Sequence, residues 1–597
     1  MARNDFLFEI GWEVAAQLGG IYTVLRSKAK YMSHFWGQQY CLVGPYNIDV
    51  KNIEFEPAAP PEGMLAKIVK DMEDSGFTVH FGHWLITGKP KVMLIEPHQA
   101  YNFLGEEKYF LWQHHWIPTT NYDALVDKVL AFGYIVRRLL KSAVSHADGQ
   151  IVAHCHEWMA ASAIPGIVRE RMPVKTVFTT HATYLGRILA MHDPKFYDHL
   201  PFYNWEFEAK KFNIEVQAKL ERAAAHSATV CTTVSNVTAM ECRYFFGKSP
   251  DVILPNGINF ERFEALHEFQ NLHRQYKEQI NKFVMGHFFR SFSFDLDNTL
   301  YFLISGRFEY NNKGFNIVVD ALARLNRQLI SEGPYVNIVM FFITKRPYHA
   351  INADVLNSQV MLSEIRQTTH SIAGQLSRRL FYATASSPAG LLPDLNDLTD
   401  DYWLLRLKRT THSWKTKQYP SIVTHNIVDD YKDELLQSLR ANNLINRPED
   451  RVFVVYHPDF ITPMSPLLGM EYEQFVRGCH LGIFPSYYEP WGYTPLECIA
   501  LGVPSITSDL SGFGNYVLNN RPYSERSGIY VIKRKKQSYE DGVQQLVRMR
   551  MSFIRLNRRQ RITLRNRVEA NATQFDWSKL IVHYETAYQK ALEARYV

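Results

Sequence analysis

The sequence predicts an α/β protein built from two doubly wound domains that face each other across a cleft. Length is the first observation: 597 residues exceed what one hydrophobic core organises. The second is a recurring pattern of short runs rich in Val, Ile and Phe, ending in small or polar residues and alternating with amphipathic helical stretches. Such runs read as parallel strands buried on both faces. The third is that the pattern forms two series, separated by a polar helical stretch at Glu261–Phe288.

The first series comprises Phe6–Ile10, Cys41–Pro45, Val79–Ile86, Lys91–Glu96, Ile151–His156, Thr176–Thr180, Val230–Val234 and Val252–Pro255. The second comprises Thr299–Gly306, Val336–Ile343, Val452–His457, Leu481–Pro485, Val503–Ser508 and Gly528–Ile532. Residues 1–270 are therefore the expected N-terminal domain and 271–575 the C-terminal one, with a last helix at 576–597 rejoining the first. The carboxyl ends of the strands in both sheets would line the shared cleft. The second series is interrupted at 348–446, where Leu356, Val360, Leu362, Ile365, Ile372 and Leu376 recur at helical intervals. A helical insertion is expected there, either an oligomerisation element or a flap packed on its own domain.

Composition narrows the function classes. With 46% apolar and 21% charged residues the chain is a soluble globular type, not a disordered or fibrous one. A net charge of +6 is small for this length and calls for no nucleic-acid partner. The six cysteines show no C-x-x-C spacing and several lie in apolar runs, so reduced, buried thiols are expected instead of disulfides or zinc. No apolar stretch could span a membrane and no signal peptide precedes the first strand, which makes the cytoplasm the expected compartment.

Chemistry concentrates in Phe484-Pro-Ser-Tyr-Tyr-Glu-Pro-Trp-Gly-Tyr-Thr-Pro-Leu-Glu497. An apolar strand ends at Pro485, a tight turn carries Glu489 and Gly492, and a helix is expected near Pro495 with Thr494 as its N-cap. The free N–H groups of that helix end would suit a diphosphate. Thr494-x-x-Glu497 also fits a capping box, which needs no ligand, and the residues alone leave the two readings balanced. Arg307 and Lys313 follow the first strand of the second series, where two cations would stabilise charge growing on a phosphate leaving group.

Two other patterns are weaker. His154 and His156 share a strand face, but no third metal ligand follows at a convincing spacing. Phe294-Asp-Leu-Asp-Asn-Thr-Leu300 imitates a phosphatase nucleophile motif, yet its acids precede the apolar run and would sit at the wrong end of the strand. Arg555, Arg558, Arg559, Arg561, Arg565 and Arg567 crowd one helical stretch, with Arg555, Arg558, Arg561 and Arg565 expected on one face. Such a face is either simply solvated or expects an anion.

The stretch from Ser486 to Pro495 resembles the E-x7-E element of retaining nucleotide-sugar glycosyltransferases, and in wording the eukaryotic-type glycogen synthases. Supporting stretches are Gly19-Gly20-Ile21-Tyr22, Ala153-His-Cys-His-Glu-Trp158, Phe178-Thr-Thr-His-Ala-Thr183, Leu254-Pro-Asn-Gly257, His267-Glu-Phe-Gln-Asn-Leu-His273, Gly306-Arg-Phe-Glu-Tyr310 with Lys313-Gly314, and Phe475-Val-Arg-Gly-Cys-His-Leu-Gly482.

The resemblance implies a GT-B fold of two facing Rossmann-like domains. It implies metal-independent transfer of glucose from UDP-glucose to the non-reducing end of an α-1,4-glucan such as glycogen, with retention and without a cofactor. Glu489, His181, Arg307 and Lys313 would be catalytic, His181 contacting the transferred glucose and Arg187 facing the diphosphate across the cleft. Gly19 and Gly20 would allow close backbone approach, and Asn256 would sit on a cleft-lining turn. Tyr472, His480, Tyr493 and Thr494 would form the nucleotide pocket, with Trp491, Gly492 and Glu497 beside the substrate. The arginine helix would bind the activator glucose 6-phosphate, Arg561 and Arg565 at the phosphate and His267, Gln270 and His273 at the sugar, with Arg558 stacked one helical turn from Arg561.

A homotetramer and a glycogenin-like primer protein also follow from the resemblance. Members tend to carry Lys or Arg where this chain has Gln17, and Arg where it has Ala570. The phosphorylated tails of animal and fungal members have no counterpart here: either the source lacks that control or the chain is trimmed, and the start at Met1-Ala-Arg-Asn favours the former and a microbial member.

Overall fold

The computed structural model describes residues 4–17, 19–46, 54–119, 123–260, 269–388, 393–520 and 525–595. Its first sheet holds nine strands: β1 (Phe6–Ile10), β2 (Tyr40–Pro45), β3 (Phe55–Pro57), β4 (Val79–Trp84), β5 (Lys91–Ile95), β6 (Ile151–His156), β7 (Val174–Thr180), β8 (Val230–Thr233) and β9 (Val252–Ile253). Their order is β3-β4-β5-β2-β1-β6-β7-β8-β9. The central strands β1, β6 and β7 are buried along their whole length, as two-sided Val/Ile/Phe runs require. One edge departs from the expected parallel series: β4 pairs antiparallel with both β3 and β5. The connection from Trp84 to Lys91 is too short for a parallel crossover.

The later strands are β10 (Thr299–Ser305), β11 (Asn337–Ile343), β12 (Tyr348–Ile351), β13 (His425–Ile427), β14 (Val452–His457), β15 (Leu481–Ile483), β16 (Ser505–Ser508) and β17 (Ile529–Ile532). Six of them form a parallel sheet in the order β14-β11-β10-β15-β16-β17. The strand order reverses between β1 and β6 in one sheet and between β10 and β15 in the other. Loops leaving these four strands therefore open onto the crevices where doubly wound folds hold ligands.

The insertion is helical with a small strand base. Helices Ala353–Ser386 and Asp401–Trp414 run antiparallel, tied by Arg406 to Glu364 (3.3 Å) and Arg379 to Asp400 (2.7 Å), above the β12–β13 ribbon. Its foot is packed: Trp414 Nε1 donates to Ser358 Oγ (2.8 Å) and Gln359 donates to the Phe283 carbonyl (2.9 Å). Its far end leaves Phe381 and Tyr382 exposed, and Leu405 is exposed along the second helix.

The chain passes between the sheets twice, and the two passages touch. Ile258 N–H donates to the Phe575 carbonyl (3.0 Å), and Trp577 N–H donates to the Ile258 carbonyl (3.2 Å). Helix Trp577–Glu593 then packs on the first sheet, where Trp577 Nε1 donates to Ser27 Oγ (2.8 Å) and Tyr588 meets His154 Nδ1 (2.8 Å). All six cysteines are buried free thiols. No helix of the described residues is long and apolar enough to cross a membrane.

One core residue breaks the pattern. Arg550 is fully buried on helix Tyr539–Ile554, and its three guanidinium nitrogens have no hydrogen-bond partner among the described residues. Burial pushes its pKa down to about 9. An unpaired buried cation is costly, and apolar replacement of buried charge commonly stabilises by about 1–4 kcal/mol. Arg550→Met should raise the thermal midpoint, measured at one scan rate, by several degrees; a lower midpoint would show that Arg550 has a structural partner.

Candidate active site

The loop after β1 leads into helix Gly20–Trp36. Glu13 folds back onto that helix end, its carboxylate accepting the Tyr22 N–H (2.8 Å). Burial raises the Glu13 pKa against the pull of the Tyr22 and Gly19 amides. A Cβ on Gly19 would lie 2.8 Å from Glu13 Oε1, whereas one on Gly20 would meet open space. Beside this helix lies an interdomain cavity of about 800 Å³, lined by Gln17, Tyr22, Arg26 and Ser27 from one side and Tyr493 and Glu497 from the other.

The loops after β10 and β15 interlock. Gly314, in the left-handed region (φ +77°), is the N-cap of helix Phe315–Ser331, and a Cβ there would lie 2.6 Å from the Pro485 carbonyl oxygen. That close approach lets Lys313 reach the neighbouring turn and form an ion pair with Glu489. Both side chains are mostly buried. Arg307 is not part of the pair; its side chain is 71% exposed and meets Glu309 at 3.3 Å.

The helix after the β15 turn is capped differently from the sequence expectation. It spans Tyr493–Ala500, and its N-cap is Gly492 in the left-handed region (φ +109°), with no side-chain cap. Thr494 lies inside the helix, so it is not the N-cap and the Thr494-x-x-Glu497 capping box does not form. The glycine lets the chain turn into the helix earlier than a β-carbon would allow, and the first N–H groups keep their anion-binding character. Trp491 packs on Phe513 and Tyr516. Tyr472 shares a hydrogen bond with Ser305 Oγ (2.6 Å) at the end of β10.

Across the cleft, His181 follows β7. Its backbone N–H donates to Glu157 Oε1 (2.9 Å), and its Nε2 meets His156 Nδ1 at 2.9 Å. Burial pushes the His181 pKa down to about 3, so the ring is neutral. Glu157 adopts a left-handed backbone (φ +63°), strain that a non-glycine residue tolerates only where its surroundings fix it. Arg187, on helix Tyr184–His192, is held cationic against burial by Glu157, Tyr488 and Glu309. Asn256 is buried on the turn after β9, its side-chain oxygen without a partner among the described residues. The halves touch where Tyr488 OH donates to Glu241 (3.2 Å) and Tyr197 N–H donates to Tyr487 OH (3.3 Å).

The β6 histidines do find a third neighbour in Glu9. The group is nevertheless spoken for: Lys28 already places an ammonium on Glu9, and every ring nitrogen of His154 and His156 has a hydrogen-bond partner. Asp295 and Asp297 precede β10 at its amino end, away from the cleft.

A second polar site lies on the opposite side of the C-terminal sheet. Arg555 ends one helix and Asn557 caps the next, Arg558–Ala572, so Arg555 does not share a helix face with the others. Arg558 is exposed, Arg561 intermediate and Arg565 buried. Burial, and then Arg561, push the Arg565 pKa down to about 9. Burial, with Arg565, Arg561 and Arg558 behind it, takes Lys277 down to about 8 against the pull of Asp297. His273 Nδ1 meets the Arg477 carbonyl (2.7 Å), and Gln270 donates to Asn566 (3.1 Å). His267 lies outside the described residues.

His480 belongs to this second cluster. It precedes β15, exchanges hydrogen bonds with the Tyr301 backbone (3.0 and 2.7 Å) and meets the His273 ring edge-on at 5.0 Å. It lies apart from the turn that carries Glu489, because the short strand carries the chain from one edge of the sheet to the other between His480 and Glu489.

The family model for glycogen synthases matches residues 9–597. The chain belongs to the glycogen synthase family. The glycogen [starch] synthase of Neurospora crassa is 40% identical over 596 residues, spanning 100% of this chain and 84% of that one. The human liver glycogen [starch] synthase is 40% identical over 583 residues, covering 97% and 82%. Among solved structures, the catalytic domain of starch synthase IV from Arabidopsis thaliana, bound to ADP and acarbose, superposes with TM-score 0.53 at 12% identity, covering 99% of each chain. That likeness shows the fold, the GT-B pairing of two Rossmann-like domains.

For this glycogen synthase family member, the structure brings Lys313 and Glu489 together, sets His181 and Arg187 on the opposing edge, and leaves Arg307 in solvent. Sequence reasoning missed Glu13, Glu157, Glu9 and Lys28, which act through contacts distant in sequence. It also missed Lys277, which helical spacing from His273 could have offered.

Proposed function

We propose that the chain is a retaining glucosyltransferase moving glucose from UDP-glucose to the non-reducing end of an α-1,4-glucan. The observation that carries this reading is the Lys313–Glu489 pair at the switch-point edge of a glycogen synthase family chain, beside a helix N-terminus and opposite His181 and Arg187. Lys313 and the helix amides would take up the charge developing on UDP, Arg187 would approach from the N-terminal side, and Glu489 would stay close to the transferred sugar. Attack from the face of the leaving phosphate would preserve the α configuration. Arg307 would be recruited from solvent by the diphosphate.

Incorporation of labelled glucose into glycogen, from UDP-glucose and from ADP-glucose, tests the assignment. A marked preference for UDP-glucose is expected; no incorporation from either would overturn it. Activity should also persist in excess EDTA, because side chains and helix amides do the work of a metal. An EDTA loss that magnesium or manganese restores would sink that chemistry.

The finer readings belong here too. The cluster of Arg558, Arg561, Arg565 and Lys277 suits glucose 6-phosphate, with His273, Gln270 and His480 around the sugar. We assign the division at 270/271, the return of 576–597 to the first domain, and an oligomerisation role, in a homotetramer, to the 348–446 insertion, whose outer end exposes Phe381 and Tyr382 and whose second helix exposes Leu405. A cytoplasmic setting and a primer protein complete the expectation.

A further inference from the structure

The proposed function uses His181 but leaves unexplained the buried polar chain behind it. Lys28 and Glu9, both with fully buried side chains, form an ion pair, and Tyr40 OH donates to the second oxygen of Glu9. Glu9 Oε1 also meets His156 Nε2 at 2.7 Å, and His156 Nδ1 meets His181 Nε2 at 2.9 Å. The chain thus runs from an ammonium through a carboxylate and two imidazoles to the cleft edge.

Counting hydrogens settles its direction. An ionised carboxylate only accepts, so the proton between Glu9 and His156 sits on His156 Nε2. A neutral imidazole carries one proton, which leaves His156 Nδ1 as an acceptor. The proton between the two rings must then sit on His181 Nε2. Burial keeps both rings neutral and Lys28 reinforces it; at Glu9, Lys28 together with His154 and the Tyr40 hydrogen bond outweighs burial and keeps the carboxylate ionised. His181 Nδ1 is therefore left with a lone pair. It has no hydrogen-bond partner among the described residues, and His181 as a whole keeps 8% of its surface exposed.

We propose that Lys28, Glu9 and His156 are positioning residues that lock His181 in the Nε2–H tautomer, so that Nδ1 meets the donor sugar only as a hydrogen-bond acceptor. The enzyme then requires a donating hydroxyl on the sugar at the place His181 faces. The inference rests on the reading that His181 contacts the transferred glucose.

The test uses the full-length enzyme with UDP-glucose, its monodeoxy analogues and its monodeoxyfluoro analogues. Fluorine accepts weakly and cannot donate. One monodeoxy donor should lose about tenfold in kcat/KM with the unaltered enzyme, and lose nothing further with His181→Ala. The fluoro analogue at that same position should be as poor as the deoxy one. A fluoro donor that recovers most of the activity would show His181 donating and overturn the tautomer assignment. If His181→Ala abolishes no analogue's penalty, His181 does not touch the sugar, and the functional reading beneath the inference fails instead.

The relay itself is tested by Glu9→Gln combined with Lys28→Met, which removes the pair at constant net charge. The fluoro analogue should then gain on the deoxy one, since an amide can donate to His156 as well as accept. An unchanged ratio in a folded variant would remove the three residues from the lock. Nitrogen-15 spectra of histidine-labelled unaltered enzyme read the tautomer without any variant: the expected His181 signals are a protonated Nε2 and an unprotonated Nδ1, and the reverse would overturn the proposal.

Discussion

Lys313→Ala should lower turnover at saturating donor by about 10²–10³-fold, the usual loss when one preorganised stabiliser of developing charge is removed. Lys313 pairs with Glu489 at the end of the turn after β15, the edge to which the proposed reading assigns the diphosphate. Interactions that strengthen as the bond breaks lower kcat, whereas uniform binding contacts change only KM. The loss should therefore fall mainly on kcat. The fold should survive, because Lys313 lies on a loop and its partner retains some solvent contact. Near-normal turnover would remove Lys313 from the leaving-group chemistry. Arg307→Ala is the informative companion: a comparable loss means that the exposed guanidinium swings onto the diphosphate, and a small one means that Lys313 and the helix amides suffice.

Replacing Arg561 and Arg565 with Gln should abolish any response to glucose 6-phosphate while basal turnover stays within about threefold. Burial is the first cause lowering Arg561, Arg565 and Lys277; Arg561 adds to it at Arg565, and both arginines add to it at Lys277, so the cluster gathers positive charge in a half-buried place. A phosphomonoester supplies the opposite charge, and each charged hydrogen bond is worth about 1.5–3 kcal/mol. Losing two should weaken activator affinity by at least about a hundredfold. Glutamine keeps much of the side-chain volume, which limits damage around the buried Arg565. Rates measured across activator concentrations decide it. Basal activity lost with the response would mean that the arginines hold the fold, and an indifferent parent enzyme would direct attention to Ala570.

Much of this architecture was legible because buried parallel strands have few ways to be written. The Val, Ile and Phe runs located the strands of both sheets except the short edge strand β3, whose three residues carry no such run, and the E-x7-E stretch fell on the turn after β15. Edge geometry was less legible: β4 has the same composition as a parallel strand, and only its short connection to β5 reveals the reversal. The cap at Gly492 was missed because Thr494 is the better N-cap by residue type, while the deciding property is a positive φ. His480 shows that nearness in sequence does not carry across a strand, whose two ends belong to opposite edges of the sheet. Glu9, Lys28 and Glu13 left no local signal at all, since a buried ion pair or a carboxylate folded onto a helix end depends on contacts the spacing does not encode.

The touching passages at Ile258 and Phe575–Trp577 give the enzyme a mechanical character. Two halves joined by one strand could swivel freely about it. The two crossings lie side by side and are hydrogen-bonded where they meet, so any displacement of one half relative to the other loads both at once. Each opening and closing should therefore return Lys313 and Arg187 to the same opposition. The final helix is then no trailing end but the anchor of the second crossing, and a nick beside Asp576 would leave the first crossing to hold the halves in register alone.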